Sequence, residues 1–147
     1  MSEPRPSIIP SRLAQSVDQT KPAKPLVLIV DDHADTRDLL RYLVEMNGCS
    51  VVEAFDGEGA IRLATTNQPD LILMDIKMPD IDGLAATAQI RQTLDVPVIV
   101  LSAQAQPQFR QAALDAGADD YFIKPIGLNE LELAIRSYLA IPPPTEV

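Results

Sequence analysis

The sequence predicts an α/β fold in which a doubly wound, five-stranded parallel sheet carries helices on both faces. Short apolar runs rich in β-branched residues alternate with segments of helical periodicity, and this alternation occurs five times. Continuous apolar runs of this length are typical of strands buried on both faces, as in parallel sheets with helical crossovers. Because such crossovers are right-handed, the doubly wound arrangement is favoured, and its ligands bind beyond the carboxyl ends of the strands.

The first two strand–helix units follow from local patterns. Leu26–Val30 is a continuous apolar run, which predicts the first strand. Residues 35–46 place three leucines and a valine at helical spacing, and Asn47 and Gly48 then end the first helix. We expect the second strand over residues 49–54 and the second helix over Gly57–Asn67.

The other three units repeat this pattern. The third strand covers residues 71–74 and ends at Asp75, and the fourth helix has Pro107 in its first turn and Gly117 after its end. We expect the remaining strands over residues 96–101 and 121–123, and the last three helices over residues 83–93, residues 107–116 and Leu128–Leu139.

Proline placement divides the 147-residue chain into three parts. Of its 13 prolines, five lie in residues 1–25 and three in the last six residues. We therefore expect a flexible, proline-rich arm over residues 1–25, one folded domain over residues 26–140 and a proline-rich tail over residues 141–147. For the arm, a short docking peptide that becomes ordered on a partner is the alternative interpretation.

Charge and composition exclude several classes of function. The net charge is −9, and residues 26–139 alone carry −10, so binding to nucleic acid phosphates is not expected. No apolar stretch approaches the ~20 residues that span a bilayer, and no signal peptide is evident. The single cysteine, Cys49, cannot form an intrachain disulfide and is interpreted as a small apolar residue. These features predict a soluble cytoplasmic protein that makes no membrane contact.

Reactive side chains stand at the carboxyl ends of four of the predicted strands. Three carboxylates that converge at one sheet edge are costly, because two like charges ~4 Å apart repel by ~4 kcal/mol at an effective dielectric constant of 20. Either one carboxyl is protonated or a cation such as Mg2+ binds there, and a lysine and a hydroxyl then suit phosphoryl oxygens. The set predicts phosphoryl transfer to a carboxylate. It consists of Asp31, Asp32, Asp75, Ser102 and Lys124.

A simpler interpretation exists for each of these aspartates taken singly. An aspartate at a strand end is commonly a turn former, and Asp32 or Asp35 could cap the first helix. The presence of five suitable groups together at four strand ends favours a functional site over five separate turn or cap residues.

Four segments of the sequence resemble the receiver domain of bacterial two-component response regulators. They are LVLIVDD at 26–32, LILMDIKMPDIDG at 71–83, VIVLSA at 98–103 and AGADDYFIKP at 116–125. The resemblance covers about residues 25–140. It implies a flavodoxin-like (βα)5 fold with strand order 2-1-3-4-5, and a phosphoprotein that takes part in a phosphorelay.

The resemblance also implies roles for the residues around the third strand. Asp75 is expected to be the phosphoacceptor that attacks a phosphohistidine on a partner kinase. Asp32, Asp75 and the backbone carbonyl of Lys77 would bind Mg2+, for which Mn2+ can substitute, and Asp31 would act mostly through a metal-bound water. Lys77 and Gln104 would tune the lifetime of the phosphoryl group. For Lys77, a solvated loop lysine is the alternative.

The family's switch is expected to involve the other strand ends. Lys124 and Ser102 would bind the phosphoryl group, and Ser102 and Tyr121 would form the switch pair, with Tyr121 entering the space that Ser102 vacates. The face made by the fourth helix, fifth strand and fifth helix would then repack. The Lys124–Pro125 bond resembles the family's cis peptide.

Two further positions are interpreted more simply. His33 is expected to be a rim residue, because nothing around it resembles the histidine site of a helical bundle. Asp120 and Arg136 are expected either to pair between subunits or to have an intrachain or solvated role.

The expected partners are a sensor histidine kinase or a histidine phosphotransfer protein, and an unknown downstream protein target. The protein is expected to be a monomer or weak homodimer that switches rather than turns over substrate. It would act as a stand-alone receiver or relay intermediate, or be a piece of a larger regulator. The alternatives are a receiver-like binding module that needs no phosphorylation and a Mg2+-dependent aspartyl phosphohydrolase. Lys77 counts against the hydrolase, which usually has a second acid two residues after the nucleophile.

Overall fold

A five-stranded parallel sheet forms the centre of the computed structural model, which describes residues 24–142. Its strand order, β2-β1-β3-β4-β5, confirms the predicted doubly wound fold. The predicted arm (1–25) and tail (141–147) lie almost entirely outside the described residues. The strands are β1 (Leu26–Val30), β2 (Ser50–Ala54), β3 (Leu71–Asp75), β4 (Val98–Ser102) and β5 (Asp120–Ile123).

Helices cover both faces of this sheet, and each face has its own apolar core. Successive residues of a strand point to opposite faces, so Leu28 and Val30 enter one core while Val27 and Ile29 enter the other. The first core is completed by α2, α3 and α4 and the second by α1 and α5. The helices are α1 (Ala34–Met46), α2 (Gly57–Asn67), α3 (Gly83–Arg91), α4 (Pro107–Asp115) and α5 (Leu128–Leu139).

The start of β4 differs from the prediction by two residues. Pro97 has no N–H to donate to a strand ladder, and the N–H of Val98 donates to the side chain of Asp119 at 2.8 Å. Val96 and Val98 flank this proline, so the sequence there resembles the start of an apolar strand. In the structure β4 begins only at Val98. Its other end extends one residue further, to Ser102.

Two other elements have bounds one or two residues away from the predicted ones, because turns at the ends of helices occupy these positions. The third helix ends at Arg91 rather than at residue 93, since the N–H groups of Gln92 and Thr93 donate to carbonyls three residues back. The second strand begins at Ser50 rather than at residue 49, because the N–H of Cys49 donates to Val44 in the turn that ends α1. Elsewhere β3, β5, α1 and α4 differ from the predicted bounds by one residue.

The amino ends of the strands form the pole of the sheet opposite the predicted site. The side chain of Asp70 accepts the N–H of Leu26 at 2.8 Å and so joins the starts of β1 and β3. A shallow depression here brings together the two ends of the described chain. It is lined by Lys24, Pro25, Asp70, Pro97, Tyr138 and Leu139. In the described part of the chain, no helix combines the length and hydrophobicity needed to cross a membrane.

Candidate functional site

Asp31 and Asp75 meet at the carboxyl edge of the sheet because β1 and β3 are neighbouring parallel strands. Val30 is paired with Met74, so the residues that follow them, Asp31 and Asp75, lie side by side. This position is where the strand order reverses, the usual ligand site of doubly wound sheets. The side chain of Asp31 is 1% exposed and that of Asp75 is 8% exposed. Two carboxylates are therefore held close together and largely out of water.

Lys124 balances these two carboxylates from the end of β5. Its Nζ donates to Asp31 Oδ2 at 3.0 Å and to Asp75 Oδ1 at 3.3 Å. The Lys124–Pro125 peptide bond that follows is cis, as expected. One ammonium faces two carboxylates, so the trio retains a negative charge that favours a cation nearby.

Burial and neighbouring charges shift the ionisation of this trio. Burial raises the pKa of Asp75 above its ordinary value of 3.8, the positive charge of Lys124 opposes that rise, and the negative charge of Asp31 adds to it. Burial lowers the pKa of Lys124, but its bonds to Asp31 and Asp75 outweigh burial, so its pKa is raised. Lys124 is thus held as a cation between the two acids.

Ser102 lies at the same edge, one strand further along the sheet. It is the last residue of β4, adjacent to β3, and is 2% exposed. Its Oγ accepts the backbone N–H of Gln104 at 3.0 Å. The hydroxyl of Tyr121 donates to the backbone carbonyl of Gln104 at 2.6 Å. Ser102 and Tyr121 are therefore connected through the backbone N–H and carbonyl of one residue, Gln104, in the loop between β4 and α4.

The backbone around Asp75 is packed closely against the start of α3. The N–H of Gly83 donates to the carbonyl of Ile76 at 2.8 Å. A Cβ at Gly83 would collide with the backbone carbonyl of Asp75, so only glycine fits. The carboxylate of Asp75 consequently has little freedom to move with its backbone.

Comparisons with known proteins agree with this geometry. A family model described as the response regulator receiver domain matches residues 27–136. The chain belongs to the response regulator receiver family. Members of this family are parts of two-component systems and are generally signalling switches rather than turnover enzymes.

Two relatives illustrate the similarity in sequence. The transcriptional regulatory protein PrrA of Mycobacterium tuberculosis is 44% identical over 116 residues, which cover 78% of this chain and 50% of that protein. The KDP operon transcriptional regulatory protein KdpE of Escherichia coli is 46% identical over 110 residues, which cover 75% of this chain and 49% of that protein. The chain thus spans about half the length of these curated relatives.

Solved structures show the same fold. A two-component response regulator from Clostridium difficile is 31% identical, with a TM-score of 0.77, and the match covers 80% of this chain and 97% of that one. The receiver domain of Francisella response regulator 1452 is 34% identical, with a TM-score of 0.76, and the match covers 80% and 98%.

The acidic pocket of this receiver domain fits a hard divalent cation. Receiver domains bind Mg2+ through such a pocket. Asp31 and Asp32 supply oxygen ligands of the kind that Mg2+ prefers, and the two have ligand atoms within 4.8 Å of each other. His33 belongs to the same group, with its Nδ1 3.0 Å from Asp32 Oδ1 and 3.2 Å from Asp31 Oδ1.

His33 has the exposed position expected of a rim residue, since its side chain is 72% exposed. Its contact with both carboxylates is an additional feature that the sequence does not indicate. His33 is also the N-cap residue of α1, without a side-chain capping bond. The cap position that the simpler interpretation offered to Asp32 or Asp35 is therefore taken by His33.

The two residues expected to tune the lifetime of the phosphoryl group do not hydrogen-bond to the charged trio with their side chains. The side chain of Lys77 is exposed in the loop between β3 and α3. Gln104 contacts Ser102 and Tyr121, but through its backbone N–H and carbonyl rather than through its side chain.

Tyr121, the other residue of the expected switch pair, is 2% exposed, so its side chain lies inside the domain. Its role in a switch remains a prediction.

Arg37 is the supporting residue that sequence reasoning missed. From α1, its guanidinium donates to the carbonyl of Asp31 at 2.8 Å and to Glu53 on β2 at 2.9 Å. It therefore fixes the backbone just after β1. No local motif signals this contact, because it depends on how α1 packs across β1 and β2.

Outside the site, Asp120 and Arg136 each have other partners. The hydroxyl of Tyr138 donates to Asp120 at 3.4 Å. Arg136 contacts Glu132 at 3.7 Å and donates to the carbonyl of Pro142 at 2.6 Å. An intrachain role is thus available to each residue.

Proposed function

We propose that this receiver domain is a phosphoacceptor switch in which Asp75 accepts a phosphoryl group from a sensor histidine kinase or a histidine phosphotransfer protein. The observation that carries the proposal is the position of Lys124, whose ammonium lies between the buried carboxylates of Asp31 and Asp75. A nucleophilic carboxylate, a second acid and a fixed cation at one sheet edge suit a phosphoryl group, which carries charge on three oxygens.

In the proposed transfer, an oxygen of Asp75 forms a bond to phosphorus while the phosphorus–nitrogen bond of the donor phosphohistidine breaks. The imidazole nitrogen leaves with the bonding electron pair. Lys124 already contacts Asp75, so its ammonium is positioned to offset the charge of a phosphoryl oxygen. Ser102, buried at the end of the neighbouring strand, supplies a hydroxyl donor.

Asp31, Asp32, Asp75 and the carbonyl of Lys77 are the residues that would hold Mg2+, or Mn2+ in its place. When bound, the cation offsets the negative charge of the carboxylates and of the phosphoryl oxygens. The exposed imidazole of His33 borders this position and contacts an oxygen of each of Asp31 and Asp32.

The proposed output is a change in the face formed by α4, β5 and α5. Phosphorylation adds about two negative charges, which draw Ser102 and Lys124 toward the new oxygens. Ser102 accepts the N–H of Gln104 and Tyr121 donates to the carbonyl of the same residue, so a shift of Ser102 would disturb the position of Tyr121. The result is a population shift between two packings.

This face is the one we propose to control a downstream protein target. Its exposed apolar side chains suit a protein surface, whereas the charge of −10 on residues 26–139 does not suit DNA phosphates. The exposed apolar residues of this face are Leu114, Ile123, Leu128 and Leu133.

The test is intact mass after incubation with acetyl phosphate and Mg2+. Wild-type protein should gain one phosphoryl group, as the carboxylate of Asp75 displaces acetate, and chelation of the metal should abolish the gain. Asp75→Ala should gain none. Asp95→Ala, which removes a different exposed acid, is the matched control and should be modified like wild type.

Other outcomes would assign a different function. If wild type gains no mass and releases no phosphate, the chain acts as a binding module independent of phosphorylation. Rapid release of phosphate with no adduct on any time scale would favour an aspartyl phosphohydrolase.

A further inference from the structure

The loop that follows Asp75 is fastened to a helix from a different part of the chain. This loop covers residues 76–82 between β3 and α3. The carboxylate of Asp80 accepts the N–H of Gly57 at 2.8 Å with Oδ1 and the N–H of Glu58 at 3.0 Å with Oδ2. One exposed side chain thus joins the loop to the first turn of α2, 22 to 23 residues away in sequence.

The first turn of α2 has the chemistry to receive this carboxylate. The first N–H groups of a helix have no partner within the helix, and the positive end of its dipole favours an anion. Asp56 already accepts the N–H of Gly59 at 2.7 Å as the N-cap residue. Asp80 accepts the N–H groups of Gly57 and Glu58, so two aspartates from different segments complete one helix end.

Other contacts indicate that the loop is closely fitted to α2. A Cβ at Gly57 would collide with the backbone carbonyl of Ile81, so the helix can approach the loop only because residue 57 is glycine. The N–H of Gly57 lowers the pKa of Asp80, and that of Glu58 adds to the effect. Asp80 is therefore ionised, and its carboxylate interacts with both amides throughout the neutral pH range.

The two ends of the loop are fixed as well. At its start, the carbonyl of Ile76 accepts the N–H of Gly83 at 2.8 Å. At its end, Asp82 caps α3 by accepting the N–H of Ala85 at 2.8 Å. Asp80 is the polar side chain that ties the middle of the loop to α2, while Met78 packs against the first core. Lys77 lies between these anchors.

We infer that Asp80 is a positioning residue that holds the Lys77 carbonyl in place for a divalent cation at the acidic pocket. The inference rests on the proposed function, which assigns that carbonyl to Mg2+. Mg2+ requires nearly ideal octahedral geometry with ligands at about 2.0–2.1 Å, so a ligand on an unfastened loop would bind it poorly. Groups that orient metal ligands typically change affinity about 10- to 100-fold when removed.

The test is a titration with MgCl2, followed by the chemical shifts of backbone amides. Asp80→Ala should raise the Kd for Mg2+ about tenfold, at the low end of that range because Asp80 acts through the loop. Asp56→Ala is the matched control. It removes one negative charge and a capping bond from the same helix end, but it leaves the loop fastened, so its Kd should stay within about twofold of wild type.

A second variant separates positioning from charge. Asp80→Asn loses the charge but keeps one acceptor oxygen, so we expect a Kd between those of wild type and Asp80→Ala. If Asp80 acted only through its charge, the two Asp80 variants would be equal and their defect would fade in ~0.5 M KCl, where screening is strong. Before any metal is added, Asp80→Ala should also shift the amide signals of residues 76–82.

The outcomes distinguish this inference from the proposed function. Equal Kd values for wild type and Asp80→Ala, or equal losses in Asp80→Ala and Asp56→Ala, would overturn the role of Asp80 while the phosphoacceptor proposal stands. Failure of wild type to respond to MgCl2 would instead overturn the assignment of the metal, and the role of Asp80 with it.

Discussion

At the scale of single residues, Asp75 is held in a state that costs the folded chain free energy. It is buried beside Asp31, and the two share the single ammonium of Lys124. Functional sites often keep such arrangements at the expense of stability. The raised pKa of Asp75 expresses the same cost, because burial favours the neutral acid over the carboxylate.

We therefore expect Asp75→Asn to stabilise the fold at neutral pH by about 0.5–2 kcal/mol. The neutral amide avoids the burial of a charge and leaves Lys124 paired with Asp31 alone. Urea unfolding at pH 7 measures the change. Asp95→Ala serves as a control for the loss of an exposed acid.

The pH dependence of this gain has a definite sign. The folded-state pKa of Asp75 is raised, so the protonated acid stabilises the fold. That contribution is complete below the ordinary pKa of 3.8 and is lost as the pH rises through the higher folded-state pKa. The increase in the free energy of unfolding caused by Asp75→Asn should thus be smallest in acid and largest above that pKa. An advantage that grows toward low pH would contradict the account.

Residues of this site differ in how far the sequence could predict them. Asp31, Asp75, Ser102 and Lys124 stand directly at the ends of apolar runs, so strand topology places them at one edge of the sheet, where the long side chain of Lys124 reaches both acids. Arg37 and Asp80 act across elements, through contacts set by helix packing and loop shape. No spacing in the sequence encodes these distances, so neither residue could be predicted.

At the scale of elements, Arg91 joins the end of α3 to the segments that lead into β4 and β5. Its guanidinium donates to the carbonyls of Gly117 and Val96 and to the carboxylate of Asp119 at 2.7 Å. The same carboxylate accepts the N–H of Val98 and so supports the first residue of β4. A single planar side chain thus links the end of a helix to the segments that precede two strands.

Arg91→Ala should lower the free energy of unfolding by about 1.5–3 kcal/mol, the usual range for hydrogen bonds to charged groups. Arg91→Lys should recover less than half of the loss, because an ammonium cannot reproduce the planar fork of donors. Urea unfolding of both variants measures this, with Arg62→Ala on the exposed side of α2 as the control. Full recovery in Arg91→Lys would show that charge alone matters.

The sequence predicted every element of the described chain, and its errors lie at element ends. Apolar periodicity is a property of whole segments, so it locates helices and strands well. Ends depend on single hydrogen bonds, such as the Asp119 contact that starts β4 at Val98. These bonds come from residues distant in sequence, and no periodic pattern contains them.

At the scale of the whole molecule, we propose that the folded unit spans residues 26–140. A chain that lacks residues 1–23 should unfold in urea with the same m-value and within about 0.5 kcal/mol of the intact chain, because m follows the surface exposed on unfolding. A clearly smaller m-value or stability in the shortened chain would mean that the first residues pack on the domain.

The depression at the amino ends of the strands has a consequence for the evolution of such a domain. Lys24 and Leu139 lie in the same depression, at the pole opposite Asp75. The described chain thus enters and leaves the domain on the side away from the reactive edge. A receiver built in this way can gain, lose or exchange its neighbours by gene fusion while its chemistry stays accessible to the phosphate donor.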